Sequence, residues 1–334
     1  MARSAGLSRQ DVGKPFLLIA AMAVGIGINL VAHGQLTWLS PAVEVGVFLV
    51  LTAIMITVRP RDIGTAFRKR KATGIVLATN FLIIPSVAWL LGWLFLRQWP
   101  DLWIGVILYT LTPCVGWYLI FTDLAEGNVA WGASLLPWNL GLQIVLMPLY
   151  MWLLIGRVVT LNAMTLLASV GGFFVLPFLV GWGLRWGILT RWNETVFQGP
   201  VQRVLGEVKL WSLVTVILAL FASQPTLNVG SLRNLTLLIG VLVLFFVLLF
   251  GLALLTGRLG QLSYEDNATL AFTTTARNSE AVIGVALVAF PGHPLVYMAI
   301  LLGPLVELPI LLLMARMLVR LRGTLWPSAS GVAP

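Results

Sequence analysis

Charge is what this chain lacks. Asp, Glu, Lys and Arg make up 10% of its 334 residues, against about a quarter in soluble domains, too few to clothe a water-exposed surface. Cysteine occurs once, at Cys114, so an intramolecular disulfide is excluded. The two histidines, His33 and His293, stand far apart and offer no metal-ligand spacing. No Gly-rich phosphate loop, Walker sequence or zinc pattern is present. ATP-driven work by this chain alone is therefore not expected, nor is enzyme chemistry or a resident cofactor. A secretory leader is not expected either, because Met1–Lys14 is polar and basic and no cleavage site follows it.

What is present is apolar: hydrophobic residues reach 59% and mean hydropathy is +0.96. The chain reads as an all-α integral membrane protein. Apolar stretches of about 20 residues fall at about 15–33, 42–58, 74–96, 103–125, 129–155, 162–184, 207–223, 235–257, 264–290 and 295–319. They form a single polytopic domain over residues 1–334, with a Ser, Gly and Pro-rich tail at 323–334 expected to be disordered. The net charge of +9 is not spread evenly. Arg3, Arg9 and Lys14 cluster, as do Arg59–Lys71, Arg185–Lys209, Arg258 and Arg316–Arg322; the intervening connections carry only Arg97, Arg157 and Arg233. That alternation predicts both termini in the cytoplasm of a plasma-membrane protein, and it leaves no segment to bind nucleic acid.

Two of the spans are interrupted by polar or helix-breaking residues. In the fourth, Thr112-Pro113-Cys114-Val115-Gly116 joins a helix breaker, a soft sulfur and a glycine. In the ninth, Thr273-Thr274-Thr275-Ala276-Arg277-Asn278-Ser279-Glu280 forms a polar island. Five spans per half is an odd number, so the second half enters the membrane from the opposite side. The expectation is two inverted five-helix repeats, about 15–156 and 162–322, with discontinuous fourth and ninth helices meeting at a transport site. Gly127 and Gly292 occupy the turns that follow the two breaks.

Burying an ionised group at membrane depth costs at least about 2.5–3.5 kcal/mol, so Arg277, Glu280 and Glu307 are functional candidates by position. Glu280 is the first choice as proton carrier, because desolvation disfavours an ionised carboxylate. Arg277 would share a face with it if the helix ran unbroken between them, and a self-neutralised structural pair is the plainer alternative. Glu307 lies between the prolines of Gly303-Pro304-Leu305-Val306-Glu307-Leu308-Pro309, where Pro304 is expected to break the tenth span. In the fifth span Asn139 and Gln143 stand one turn apart on one face and need partners in lipid. Asn278 and Ser279 supply neutral donors and acceptors. Cys114 is either a small buried filler or a soft contact for a thiophilic solute. Several of the fourteen tryptophans, among them Trp38, Trp99, Trp103, Trp182, Trp186 and Trp192, fall near span ends as an interfacial belt.

Taken together, Pro113-Cys114, Leu124-Ala125 with Gly127, Asn139 with Gln143 and Pro148, Asn278 with Glu280, and the Gly303–Pro309 stretch resemble the arsenical-resistance-3 family. These are arsenite efflux permeases of the bile acid:sodium symporter superfamily. The resemblance implies a ten-helix inverted-repeat carrier with a core and a panel domain. It implies a substrate that is a trivalent arsenic or antimony oxyacid, exported in exchange for protons, with Cys114 as the arsenic contact and Glu280 as the functional ninth-span glutamate. Sodium-coupled relatives carry an acid and a Gln where this chain has Thr273 and Arg277, a departure that argues against sodium coupling. Arg277 also differs from the neutral residue of the arsenite branch and keeps open an alternative, a sodium-independent organic-anion carrier with Arg277 as counter-ion.

Overall fold

With no water at membrane depth, a backbone this apolar must satisfy its N–H and C=O groups within helices. The computed structural model describes residues 9–32, 36–57, 66–114, 117–156, 172, 175–192, 196–223 and 232–326, and for Glu280 and some other helical residues, among them 9–16 and 117, the backbone alone. Among the described residues the protein is all-helical apart from one isolated bridge. The helices are α1 (Arg9–Ala32), α2 (Ser40–Thr57), α3 (Ala66–Phe95), α4 (Pro100–Thr110), α5 (Trp117–Leu124) and α6 (Val129–Ile155). There follow α7 (Leu176–Arg191), α8 (Gly199–Ala222), α9 (Leu232–Leu259), α10 (Tyr264–Thr275), α11 (Ser279–Ala289) and α12 (Pro294–Leu325).

Five of them, α3, α6, α8, α9 and α12, are long and apolar enough to cross a membrane, and the chain is a multi-pass membrane protein. The expected fourth and ninth spans are each two helices, α4 with α5 and α10 with α11. Gly116, most of the first half of the expected sixth span and residues 327–334 of the expected tail lie outside the described residues. Residues 323–325, at the start of that expected tail, continue α12, which ends two residues before Pro327.

Pro304 does not break its helix. It and Pro309 both lie inside the continuous α12. A proline removes one donor and strains one turn, but the ladder resumes on either side, and packing on α4, α9 and α11 holds the helix in line. Trp103 also departs from its expected place in the interfacial belt. It is buried, its indole lying where a side chain on Gly92 of α3 would otherwise stand.

Packing divides the helices into two sets. α1, α2, α7 and α8 pack chiefly on one another, whereas α3, α4, α5, α6, α9, α10 and α12 gather around the two broken spans. α11 touches both α12 and α2, so the second broken span joins the sets. Close approaches within the first set rest on small residues: Gly25 meets the Leu218 carbonyl, and Gly181 meets α2 at Thr52 and Met55.

Ion pairs gather at the ends of the molecule. At one end Lys69 pairs with Asp266 at 2.5 Å, and Arg322 pairs with Glu126 at 2.5 Å and with Glu265 at 3.0 Å. Asn128 donates to Asp266 at 2.9 Å while its carboxamide oxygen caps α6. At the other end Arg233 lies over the Trp99 ring at 5.7 Å, and His293 meets Asp101 at 3.0 Å.

Candidate functional site

The two broken spans cross at their breaks. Leu111–Cys114 and Ala276–Asn278 leave the helical path and run past each other as an antiparallel bridge between Pro113 and Arg277. Cys114 N–H donates to the Ala276 carbonyl at 3.0 Å, and Asn278 N–H donates to the Thr112 carbonyl at 2.8 Å. The Thr112 hydroxyl reaches back to the Asn278 carbonyl at 3.0 Å. Backbone groups that a break would leave bare in lipid are thereby satisfied by the other break. Pro113, with no N–H to lose, costs nothing in the open strand. Asn278 restarts the helix: its side-chain oxygen accepts the Ala281 N–H at 3.1 Å, an N-cap on α11.

Two half-helices, α4 and α10, end at this crossing with carbonyls that have no partner in their own helix. The Arg277 side chain turns into that gap. Its Nη1 donates to the Thr110 carbonyl at 3.1 Å, its Nε to the Thr275 carbonyl at 3.3 Å, and its Nη2 to the Thr274 carbonyl. Nη2 also donates to Asn80 Oδ1 at 3.2 Å. The residue is 3% exposed, and among the described residues its guanidinium makes no ion pair. The condition for a face shared with Glu280 is not met, because the helix begins again only at Ser279.

Glu307, on α12 and 3% exposed, meets the crossing by another route. One oxygen accepts the Arg277 backbone N–H at 3.1 Å, and the other accepts the Tyr109 hydroxyl. One carboxyl oxygen thus faces a backbone donor and the other a hydroxyl. The glycine of the Gly303–Pro309 stretch now has a reason. Gly303 lies one turn before Glu307 on the same face, and the Tyr109 ring passes over it to reach the carboxylate.

Asn80 and Asn139 complete the polar group. Asn80 sits in a π-turn, Thr79–Ile83, inside α3, a local widening often found at functional positions. Its Nδ2 donates to Asn139 Oδ1 at 3.2 Å and to the Thr273 carbonyl at 3.3 Å, which fixes the orientation of its amide. Asn139 in turn donates to the Thr273 hydroxyl at 3.1 Å. Gln143, one turn on, is 1% exposed, and among the described residues neither its amide nitrogen nor its oxygen has a partner. Cys114 is 2% exposed and belongs to a buried cluster with Tyr118, Phe121, Phe272 and Ala276.

The structure thus brings Pro113, Cys114, Arg277, Asn278, Asn139 and Glu307 to one crossing. Ser279 opens α11 beside it, and Gln143 continues the Asn139 face. Asn80 and Tyr109 are additions that the sequence reading missed. A lone amide in an apolar span was the available signal for Asn80, since such a group needs a partner in lipid. Tyr109 carried none, an aromatic among aliphatics being the ordinary content of a core.

Broken helices that cross, with amides and charges gathered on their freed backbone, are the architecture of a secondary transporter. The chain belongs to the Sodium Bile acid symporter family, whose model matches residues 44–230, more than half its length. It is 25% identical over 333 residues to the arsenical-resistance protein Acr3 of Corynebacterium glutamicum, covering 93% of this chain and 89% of that one. It is 21% identical over 320 residues to the Acr3 of Alkaliphilus metalliredigens, covering 91% and 90%. An uncharacterized transporter of Synechocystis is 23% identical, covering 89% of this chain and 84% of the relative. The protein is a member of a transporter family and not an enzyme.

Proposed function

We infer that the protein exports arsenite, a trivalent arsenic oxyacid, from the cytoplasm in exchange for protons. The observation that carries this reading is Cys114 on the crossing itself, its N–H one of the bonds that join the two broken spans. A thiol is the soft ligand that trivalent arsenic or antimony prefers. At this position it moves with the element that any change of access must move. Likeness to two Acr3 proteins along about nine-tenths of the chain supports the same substrate class. The unpartnered Gln143 amide adds a donor and an acceptor suited to a small hydroxylated solute, beside Asn139, Asn278 and Ser279.

Arg277 argues against the organic-anion alternative. A counter-ion for substrate must have donors to offer, and this guanidinium commits four of its five N–H groups to three carbonyls and an amide oxygen. Arsenous acid, uncharged at neutral pH, asks for no such counter-ion.

Proton exchange rests on Glu280 or Glu307. Glu307 links α12 to the crossing through Arg277 N–H and to α4 through Tyr109, so its protonation would change how three elements are held. The halves behave as inverted repeats in this reading. Each broken span leads through a turn with one left-handed residue, Glu126 at φ 54° or Gly292 at φ 79°, into a long helix with two internal prolines. The charged end with Lys69 and Arg322 faces the cytoplasm, as do both termini.

Production of the protein in an arsenite-hypersensitive cell should restore resistance. Cys114→Ser should lower export far more than it lowers abundance. A mutant with normal amount and normal export would return Cys114 to a packing role.

A further inference from the structure

We propose that Arg277 is a tethered cation: its guanidinium fills an oxygen cage at the ends of two half-helices that would otherwise hold a free alkali-metal ion. The cage is made of the Thr110, Thr274 and Thr275 carbonyls and the Asn80 carboxamide oxygen. All four are hard neutral oxygens, the ligand type that suits alkali and alkaline-earth cations. Asn80 cannot turn its nitrogen inward, because that nitrogen is committed to Asn139 and Thr273. Thr275 brings a further buried oxygen, its hydroxyl, which has no partner among the described residues.

The electrostatics of the cage call for positive charge. α4 ends at Thr110 and α10 at Thr275, so the negative ends of two helix dipoles converge there. The Glu307 carboxylate sits one hydrogen bond away, on the Arg277 N–H. Unwound carbonyls and half-helix C-termini are where transporters with broken helices coordinate sodium. Here the charge arrives on the chain itself, permanently bound and unable to leave with the substrate. Such a carrier needs no sodium, whatever solute it moves, and its sodium independence is a property of one side chain.

The test removes the side chain and asks for an ion. Full-length wild type, Arg277→Ala and Arg277→Lys are solubilised and heated in sodium chloride, potassium chloride, choline chloride and a few millimolar guanidinium in choline chloride, all at equal ionic strength. Folded fraction and melting temperature are read by size-exclusion chromatography. Arg277→Ala should be recovered in greater folded amount, or melt several degrees higher, with sodium, potassium or guanidinium than with choline alone. Wild type and Arg277→Lys, each carrying its own cation, should not distinguish the salts. Arg277→Ala behaving alike in every salt, folded or unfolded, would overturn the proposal. So would a wild-type response as large as the mutant's. The readout is stability, so this outcome is separate from whether arsenite is the substrate.

Discussion

Gly303→Ala tests the tightest contact of the site. A Cβ at that position would stand 2.3 Å from Cζ of Tyr109 and 2.5 Å from Cε2, far inside van der Waals contact. The ring has no room to retreat: Tyr109 is 0% exposed and packs edge-on against Phe246 at 6.4 Å. Two responses are open. If α4 and α12 separate, the overpacked core loses about 1–3 kcal/mol. If the ring tilts instead, its hydroxyl leaves Glu307, and a hydrogen bond to a charged group contributes about 1.5–3 kcal/mol. Either response lowers stability by roughly 2 kcal/mol, and the second also alters the carboxylate. Gly141→Ala is the control, because nothing lies within 4 Å of its Cβ and alanine is the better helix former by about 1 kcal/mol. Melting of the two purified variants, followed by size-exclusion chromatography, should place Gly303→Ala well below wild type and Gly141→Ala at or above it. Tyr109→Phe, which keeps the ring and gives up only the hydroxyl bond to Glu307, should lose export and should also melt below wild type, since that bond contributes about 1.5–3 kcal/mol. A Gly303→Ala protein that melts and exports like wild type would refute the packing of Tyr109 between Gly303 and Glu307.

Two further predictions concern topology and coupling. Cysteines introduced at Gly34 and Gly230, in a Cys114→Ser background, should label from outside intact cells with an impermeant thiol reagent; labelling only in inverted vesicles would reverse the orientation. Glu280→Gln and Glu307→Gln each remove titration while keeping shape. The true proton site is the one whose loss abolishes net export down a proton gradient yet spares exchange of labelled for unlabelled arsenite, and normal net export in both would end the antiport reading.

The crossing was legible because it breaks two strong sequence habits. An apolar span does not ordinarily hold a Thr-Thr-Thr-Ala-Arg-Asn-Ser-Glu run, and Thr112-Pro113-Cys114 combines a helix breaker with polar atoms. The same reasoning failed at Pro304, where a proline was read as a break although it removes only one donor from a helix long enough to absorb it. Asn80 was missed for a different reason. Its role depends on a π-turn that no residue in Thr79-Asn80-Phe81-Leu82-Ile83 announces. Arg277 shows the limit of local spacing: counted along a helix it faces Glu280, but unwound chain turns it toward three carbonyls instead.

That turn bears on how the site can accept and release a proton. Arg277 and Glu307 are both buried, yet neither is met by the other's side chain: helix-terminal carbonyls and Asn80 meet the guanidinium, and an N–H of the crossing and the Tyr109 hydroxyl meet the carboxyl group. Had the two side chains formed a direct buried pair, protonating the carboxylate would strand the guanidinium, a change that costs about 3–5 kcal/mol when one partner of such a pair is removed. Because the guanidinium keeps its carbonyls in either case, Glu307 can change charge without leaving a cation bare. What protonation does alter is the hold of α12 on the crossing and on Tyr109. If Glu307 carries the proton of the proposed exchange, a fixed cation and a separately held carboxylate would divide the labour: one would keep the broken helices together through the cycle, and the other would be free to titrate.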